Sequence, residues 1–446
     1  MGILAGILLL SVIMILHEIG HYVTGRRLGF KVEEFSLFMG PRLLSKEIHG
    51  VRFSLKLFPI GASCRFAGEE GEEDGGSAAV GIPAAAPGEG RPASEGERFF
   101  DRPKWARAIV LTAGAAMNYL SGVLVFFILF AWFGFATNTV ALIGAGSQAE
   151  AAGMNPGDRI VAVDGSRVVT QLDFATTVMF LPEDRAVTLT IEPDGGGARR
   201  EVRLVPEKTR SYRLGVTVDL SSTQPVIAAV DPGSNGGSPA LQVGDVLVSV
   251  NGIPYEDADG FSAEVSGSGG QPVTVRVVRD GVEEEITTRP ILMEYYNAQG
   301  IQFLGEKGIA RSALEAFRYS WSIVRFTVKG ISMMIAGQIS AKDNLSGPIG
   351  IVSMVGEMVE TEQPVLDKIY SLLSMFGLIS INLAFMNLLP IPPLDGNHLL
   401  LTGIEALRRK RLSIRVQTVI SVVGFVLLIG LAAMAVVFDI MRLAGR

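Results

Sequence analysis

The sequence predicts a multi-pass α-helical membrane protein with four transmembrane helices and two β-rich domains inserted between the second and third of them. Three observations carry that prediction. Hydrophobic residues make up 48% of the 446, and the mean hydropathy of +0.37 is high for a soluble chain. Four apolar runs, 3–23, 108–135, 369–389 and 416–438, reach the roughly 20 helical residues that cross a hydrocarbon core. Turn-forming residues and acids collect between the second and third runs, in a segment that repeats itself.

The first run, assigned to 1–25, lacks a basic leading region and a small-residue cleavage site, so it reads as a retained span. Basic residues then set the orientation, because loops that stay in the cytoplasm are enriched in Lys and Arg. Arg26, Arg27 and Lys31 follow the first span, Arg102, Lys104 and Arg107 precede the second (108–135), and Arg408, Arg409, Lys410 and Arg411 precede the fourth (414–440). All three clusters fall on one side. That arrangement puts both termini and the long central segment outside, and the first loop inside. Residues 138–305 carry 22 acids and 12 bases, a net charge of −10 against −6 for the whole chain. No nucleic-acid footprint is present. Residues 67–98, rich in Glu, Gly, Ala, Pro and Ser, bury too little apolar surface to fold and read as a disordered cytoplasmic insertion. The single cysteine, Cys64, excludes an internal disulfide and a thiolate metal cluster. With His49 it reads as an ordinary loop residue.

In the central segment, PGDRIVAVDG at 156–165 aligns with QVGDVLVSVNG at 242–252: a Gly-Asp turn, an alternating strand and an Asx-Gly turn. Each copy continues into a hairpin, 187–205 and 273–288. Two unrelated β-rich modules would also fit short Gly-Asp turns, but the full pattern, with a helix-like 149–153 before the first copy, resembles PDZ domains of bacterial envelope proteases. These are placed at 138–210 and 211–294. Residues 311–338 alternate Trp321, Ile323, Val324, Phe326, Val328, Ile331 and Met334 with Arg318, Arg325 and Lys329. That pattern suits an amphipathic helix at the interface, and its interspersed charges argue against a fifth span.

The chemistry lies in the first span, which contains His17-Glu18-Ile19-Gly20-His21. Residues four apart share a helix face, so two imidazoles can meet one ion while Glu18 reaches an adjacent water. A pair of core or interfacial histidines has the same spacing. Burying two imidazoles and a carboxylate among leucines and isoleucines costs several kcal/mol unless they are paired or metal-bound, so a partner is needed. The third span, assigned to 369–396, ends in NLLPIPPLDG, where Pro390, Pro392 and Pro393 break the helix beside Asp395. His17 and Asp395 fall at the same cytoplasmic level, so Asp395 is the candidate third ligand rather than a turn residue. Two imidazoles and one carboxylate suit Zn2+.

The pairing of HExxH in the first span with Asn-x-x-Pro-x-Pro-x-Leu-Asp-Gly in the third resembles the site-2 proteases, which are intramembrane zinc metalloproteases. PDZ domains between spans two and three narrow the resemblance to the bacterial regulator of sigma-E protease branch. GAAMN at 114–118 and SGPIG at 346–350 also match. The resemblance implies that His17, His21 and Asp395 bind zinc, that Glu18 is the general base, and that Asn382 and Asn387 contact substrate or stabilise the intermediate. From either asparagine's own chemistry, a helix-packing hydrogen bond fits equally. It further implies an inner-membrane location and a re-entrant β-hairpin over 26–66 that holds substrate as an added strand. The implied substrates are single-span membrane proteins such as anti-sigma factors after a first cleavage, or remnant signal peptides. Phe38 stands where a glycine is usual, and Ala62-Ser63 replaces a glycine-aromatic pair. His398 reads as a neighbour of the site rather than a fourth ligand. The rival classes are a non-catalytic PDZ-bearing scaffold and a zinc transporter. The latter would place polar residues along more spans than this chain does.

Overall fold

The computed structural model describes residues 2–68, 98–144, 147–179, 185–205, 208–219, 225–230, 240–256, 258–296, 300–360, 364–410 and 413–443. Most of the expected insertion at 67–98 lies outside them, as does Arg411. Contacts divide the chain into two compact units: residues 3–125, 330–354 and 375–446 form one, and 126–329 with 355–374 and the first two residues form the other.

The first unit opens with helix α1 (Gly2–Arg27), followed by strands β1 (Val32–Ile48) and β2 (Val51–Phe66) and helix α2 (Lys104–Phe133). The two strands are long enough to pair twice. Near the tip the hairpin closes antiparallel from Ile48 with Val51 to Leu44 with Leu55. Residues 34–37 pair antiparallel with 62–65 and also, in ascending and hence parallel register, Glu34 with Arg52 through Leu37 with Leu55. Four short segments therefore line up in the order 44–48, 51–55, 34–37, 62–66. The pairings are reconciled by turns in each strand, one of them at Phe38 with φ 69°. Val32, Phe35, Val51 and Phe66 pack with Phe30, Phe99 and Val110 beneath the sheet, while Met39, Leu43, Leu44, Leu57, Phe58 and Ile60 stay exposed at its far end.

The other unit contains β3 (Phe135–Ile143), α3 (Gln148–Ala151), β4 (Arg159–Val163), β5 (Ser166–Arg167), α4 (Gln171–Met179), β6 (Val187–Glu192) and β7 (Arg200–Leu204). Next come β8 (Lys208–Arg213), β9 (Val216–Asp219), β10 (Val226–Val230), β11 (Val246–Val250), β12 (Ile253–Pro254), α5 (Ala258–Gly267), β13 (Val273–Arg279) and β14 (Val282–Thr288). It closes with β15 (Ile291–Tyr296), β16 (Ile301–Glu306) and most of α6 (Ile309–Ile335). Alternation drives the strands: Val187, Leu189 and Ile191 of β6, and Val273, Val275 and Val277 of β13, are buried every second residue. Each such side chain contributes about 1.5–3 kcal/mol on burial.

One sheet runs β16-β3-β4-β6-β7 and the other β14-β13-β11-β10-β9. The repeat is visible in three dimensions. Asp158 pairs with Arg200 at 3.1 Å, and Asp245 pairs with Arg279 at 2.8 Å, each behind its Gly-Asp turn. The second sheet is complete within 216–288, whereas the first takes its last strand from 301–306, past the second. The repeat marks the shared middle of each unit but carries no sign of which sheet a flanking strand joins. β8 and β15 form a separate two-stranded ribbon. On α6, Arg325 donates to Asp173 at 2.8 Å and Ser322 to the same carboxylate oxygen at 3.1 Å, joining α6 to α4.

The remaining helices are α7 (Ala341–Asn344), α8 (Pro348–Glu360), α9 (Val365–Asn387), α10 (Asp395–Arg408) and α11 (Ile414–Leu443). Among the described residues four helices are long and apolar enough to cross a membrane: Gly2–Arg27, Lys104–Phe133, Val365–Asn387 and Val416–Met441. Small residues let them approach closely. A Cβ on Gly20 would overlap the Ala113 carbonyl, and one on Gly122 would overlap Ile381. The SGPIG stretch has a local reason as well. The buried Asp439 carboxylate of α11 accepts from the N–H groups of Gly347 at 3.1 Å and Gly350 at 2.8 Å, at the start of α8, and a side chain at either glycine would collide with it.

Candidate metal centre

Helical spacing places His17 and His21 on one face of α1, with their Nε2 atoms 3.0 Å apart. Asp395, in the first turn of α10, brings Oδ2 to 3.0 Å from His17 Nε2 and 3.3 Å from His21 Nε2. Among the described residues this is the group of His, Cys, Asp and Glu able to hold a metal ion. Both imidazoles are buried, while the Asp395 side chain keeps 23% of its surface accessible. The open flank of the cluster is therefore on the carboxylate side.

The polypeptide around each ligand explains its placement. After α9 ends at Asn387, the proline-rich turn is held by short backbone bonds, Ile391 to Leu389 and Leu394 to Ile391. Gly396 lets α10 start directly against the chain leaving α9, since a Cβ there would overlap the carbonyls of Leu388 and Leu389. Pro392 fills a notch left by Gly424 of α11. At the other end of α10, buried Arg107 donates to buried Glu405 at 3.0 Å, and Lys104 donates to the Glu405 carbonyl at 2.7 Å. Losing one partner of such a buried pair costs about 3–5 kcal/mol, so α2 holds the helix that begins with Asp395.

The donor chemistry tests whether a metal fits. His21 Nδ1 lies 2.8 Å from the Val110 carbonyl, which can only accept. The proton therefore sits on Nδ1, and Nε2 turns a lone pair into the cluster. When His17 likewise carries its proton on Nδ1, three lone pairs converge at 3.0–3.3 Å, an arrangement that a cation between them stabilises. Ligand bonds of about 2.0–2.2 Å in a tetrahedron set the donors about 3.3–3.6 Å apart, so the cluster takes zinc by opening a few tenths of an ångström.

Glu18 accepts a hydrogen bond from the Cys64 backbone N–H and lies beside His21, His17 and Asp395. Cys64 is thus part of β2, not a loop residue, and His49 forms the tight turn between β1 and β2. Asn387 Nδ2 is placed 3.3 Å from His17 Nδ1. Asn382, five residues earlier, lies about 140° round α9 from Asn387. His398 is exposed on α10 and outside the cluster. Sequence reasoning missed the Val110 carbonyl, the Arg107–Glu405 pair and the Cys64 amide. Two of those contacts are made by backbone, which has no sequence signature. It also undervalued Gly114, whose missing side chain is what lets both imidazoles lie against α2: a Cβ there would overlap His17 and His21.

Comparison with known proteins gives the same reading. Escherichia coli (strain K12) "Regulator of sigma-E protease RseP" is 28% identical over 467 residues, covering 98% of each chain. "Regulator of sigma E protease" of Salmonella typhi is 28% identical over 98% of each. "Putative zinc metalloprotease R01501" of Rhizobium meliloti is 27% identical over 98% of this chain and 96% of that one. The model of "Peptidase family M50" matches residues 5–431. With the histidine pair, its glutamate and the LDG aspartate inside that match, the chain belongs to peptidase family M50, as a zinc metalloprotease of the site-2 type.

Proposed function

We propose that the chain is an intramembrane endopeptidase that hydrolyses peptide bonds within the membrane-spanning segments of single-span proteins, with zinc held by His17, His21 and Asp395. The observation that carries this reading is the meeting of those three side chains close to tetrahedral separations, on a span that also carries Glu18. Bound there, zinc would supply Lewis acidity and lower the pKa of a water toward neutral. Glu18 is the carboxylate placed to take a proton from an attacking water and to return it to the leaving amine nitrogen. The Cys64 amide holds the Glu18 carboxylate toward β2, so the general base sits where an incoming strand meets the hairpin.

A substrate helix hides its carbonyls in its own hydrogen bonds and must unwind before attack. Segment 62–66, the end of the lined-up order that Cys64 belongs to, offers freed backbone groups a partner, as does Asn387. By likeness to the regulator of sigma-E proteases, the substrates are anti-sigma-factor-type proteins after a first cleavage, and remnant signal peptides. The two acidic β-rich units are PDZ-like, lie on the extracytoplasmic side of a bacterial inner membrane, and act as a size filter or reader of the trimmed end. The active site faces the cytoplasmic side.

The test uses the full chain in detergent with a tagged single-span substrate, comparing the parent with Glu18→Gln. Cleavage by the parent alone is expected, and equal cleavage by both sinks the proposal. Zinc present in the parent and lost in His21→Ala separates the protease from a metal-free scaffold.

A further inference from the structure

Asn118 lies on α2 one turn beyond Gly114, on the face that abuts the histidines, and it is fully buried. Among the described residues neither its Oδ1 nor its Nδ2 has a hydrogen-bond partner. Since both ends are without a partner, exchanging them changes nothing. Its backbone carbonyl, by contrast, is crowded. Ser121 Oγ and Ser380 Oγ each reach it at 2.9 Å, and the two hydroxyls stand 2.9 Å from each other. Two hydroxyl protons serve these three contacts, so lone pairs on the serine oxygens remain for an outside donor. Cα–Cβ bonds on a helix tilt toward its N-terminus, so the Asn118 carboxamide leans back over Gly114, toward His17 and His21.

A carboxamide taken out of water with neither end satisfied is strongly disfavoured, and more so at membrane depth. An apolar residue of the same shape would avoid that cost. The small species that meets a donor and an acceptor at once is water, which occupies buried sites that offer two to four polar partners. We infer that Asn118 anchors an internal site of one or two ordered waters between α1, α2 and α9, beside the histidine pair, and that this water keeps the hydrolytic centre hydrated within the membrane. Asn118 is thus a positioning residue that acts through water. The hydration role rests on the protease reading above, whereas the water site itself does not.

The experiment takes the metal-free full chain, in crystals that resolve ordered water elsewhere, and compares it with Asn118→Leu. Density within hydrogen-bond distance of Asn118 in the parent, absent in the variant, is expected, together with a lower melting temperature for the variant. A parent without that density, or a variant that melts at or above the parent, overturns the site. The parent density stands as a measurement even where the variant folds poorly, and Asn118→Ser, which leaves room for water, is expected to retain it. In the zinc-loaded enzyme, Asn118→Leu should lower kcat about tenfold, the worth of one ordinary hydrogen bond, with KM and zinc content unchanged. Unchanged turnover overturns the hydration role. A parent that shows the water but cleaves no substrate removes the protease reading and leaves the site in place.

Discussion

The carboxamide of Asn387 stands 3.3 Å from Nδ1 of His17. A His17 that ligates through Nε2 carries its proton on Nδ1, so the carboxamide orientation that suits metal binding presents its oxygen there and accepts. The residue that the resemblance assigns to substrate therefore also fixes a ligand's tautomer and ring angle. Groups of this kind typically govern metal affinity by 10–100-fold. Asn387→Leu is expected to weaken zinc binding by about that factor, measured by chelator competition, while Asn387→Asp keeps an acceptor and most of the affinity. An unchanged zinc Kd in Asn387→Leu would confine Asn387 to the substrate.

Gly114 provides a test in which no ligand is altered. A Cβ there enters the space of both imidazoles, and α1 and α2 already touch through Gly20 and the Ala113 carbonyl, so no room is left for it between the helices. The histidine rings must rotate off their shared point instead. Gly114→Ala should lose zinc on dialysis against a mild chelator and lose activity by at least about a hundredfold, with helix content by circular dichroism unchanged. Full zinc occupancy and activity in this variant would mean that the helices are looser than the contacts imply.

Glu315 on α6 makes stability depend on pH. Burial pushes its carboxyl up from 4.5 to about 7, with Asp173 and Glu306 adding repulsion and Arg318, 3.9 Å away, only partly offsetting it. The folded protein then holds this proton to a higher pH than the unfolded chain does. The stabilisation is fully present below about pH 4.5 and is lost as pH rises through about 7, a change of about 3 kcal/mol. Thermal melts in detergent should show a falling midpoint between pH 5 and 8 in the parent. Glu315→Gln should flatten that segment, and an unchanged slope would assign it to another group.

Much of this was legible in the sequence, for reasons that differ by residue. Four apolar runs and the i, i+4 histidines are one-dimensional patterns that survive folding unchanged, and Asp395 could be matched to them because topology puts two span ends at one depth. Contacts made by backbone or across chain distance were not legible. The Val110 carbonyl fixes His21, Arg107 reaches Glu405 almost 300 residues away, and Ile301–Glu306 joins a sheet that begins at Phe135, yet none leaves a local pattern. Phe38 is intermediate. Its departure from the usual glycine was visible, but the backbone demand behind that glycine was not.

That demand is the φ of 69° at Phe38, where β1 turns between Leu37, which pairs with Leu55 and Ala62, and Met39, which pairs with Phe58. A side chain in this left-handed region costs roughly 1–2 kcal/mol, which glycine avoids. Phe38 is half-buried, so removing its ring also loses packing. Comparing two truncations separates these effects, because Phe38→Ala and Phe38→Gly lose the same ring but only Gly relieves the strain. Phe38→Gly is expected to be more stable than Phe38→Ala by about 1 kcal/mol, against the usual order at unstrained strand positions, where Gly is the weaker. Hydrogen exchange across 34–37 and 62–65 reads the difference directly. A hairpin less protected in the glycine variant would show that the turn is made elsewhere than at Phe38.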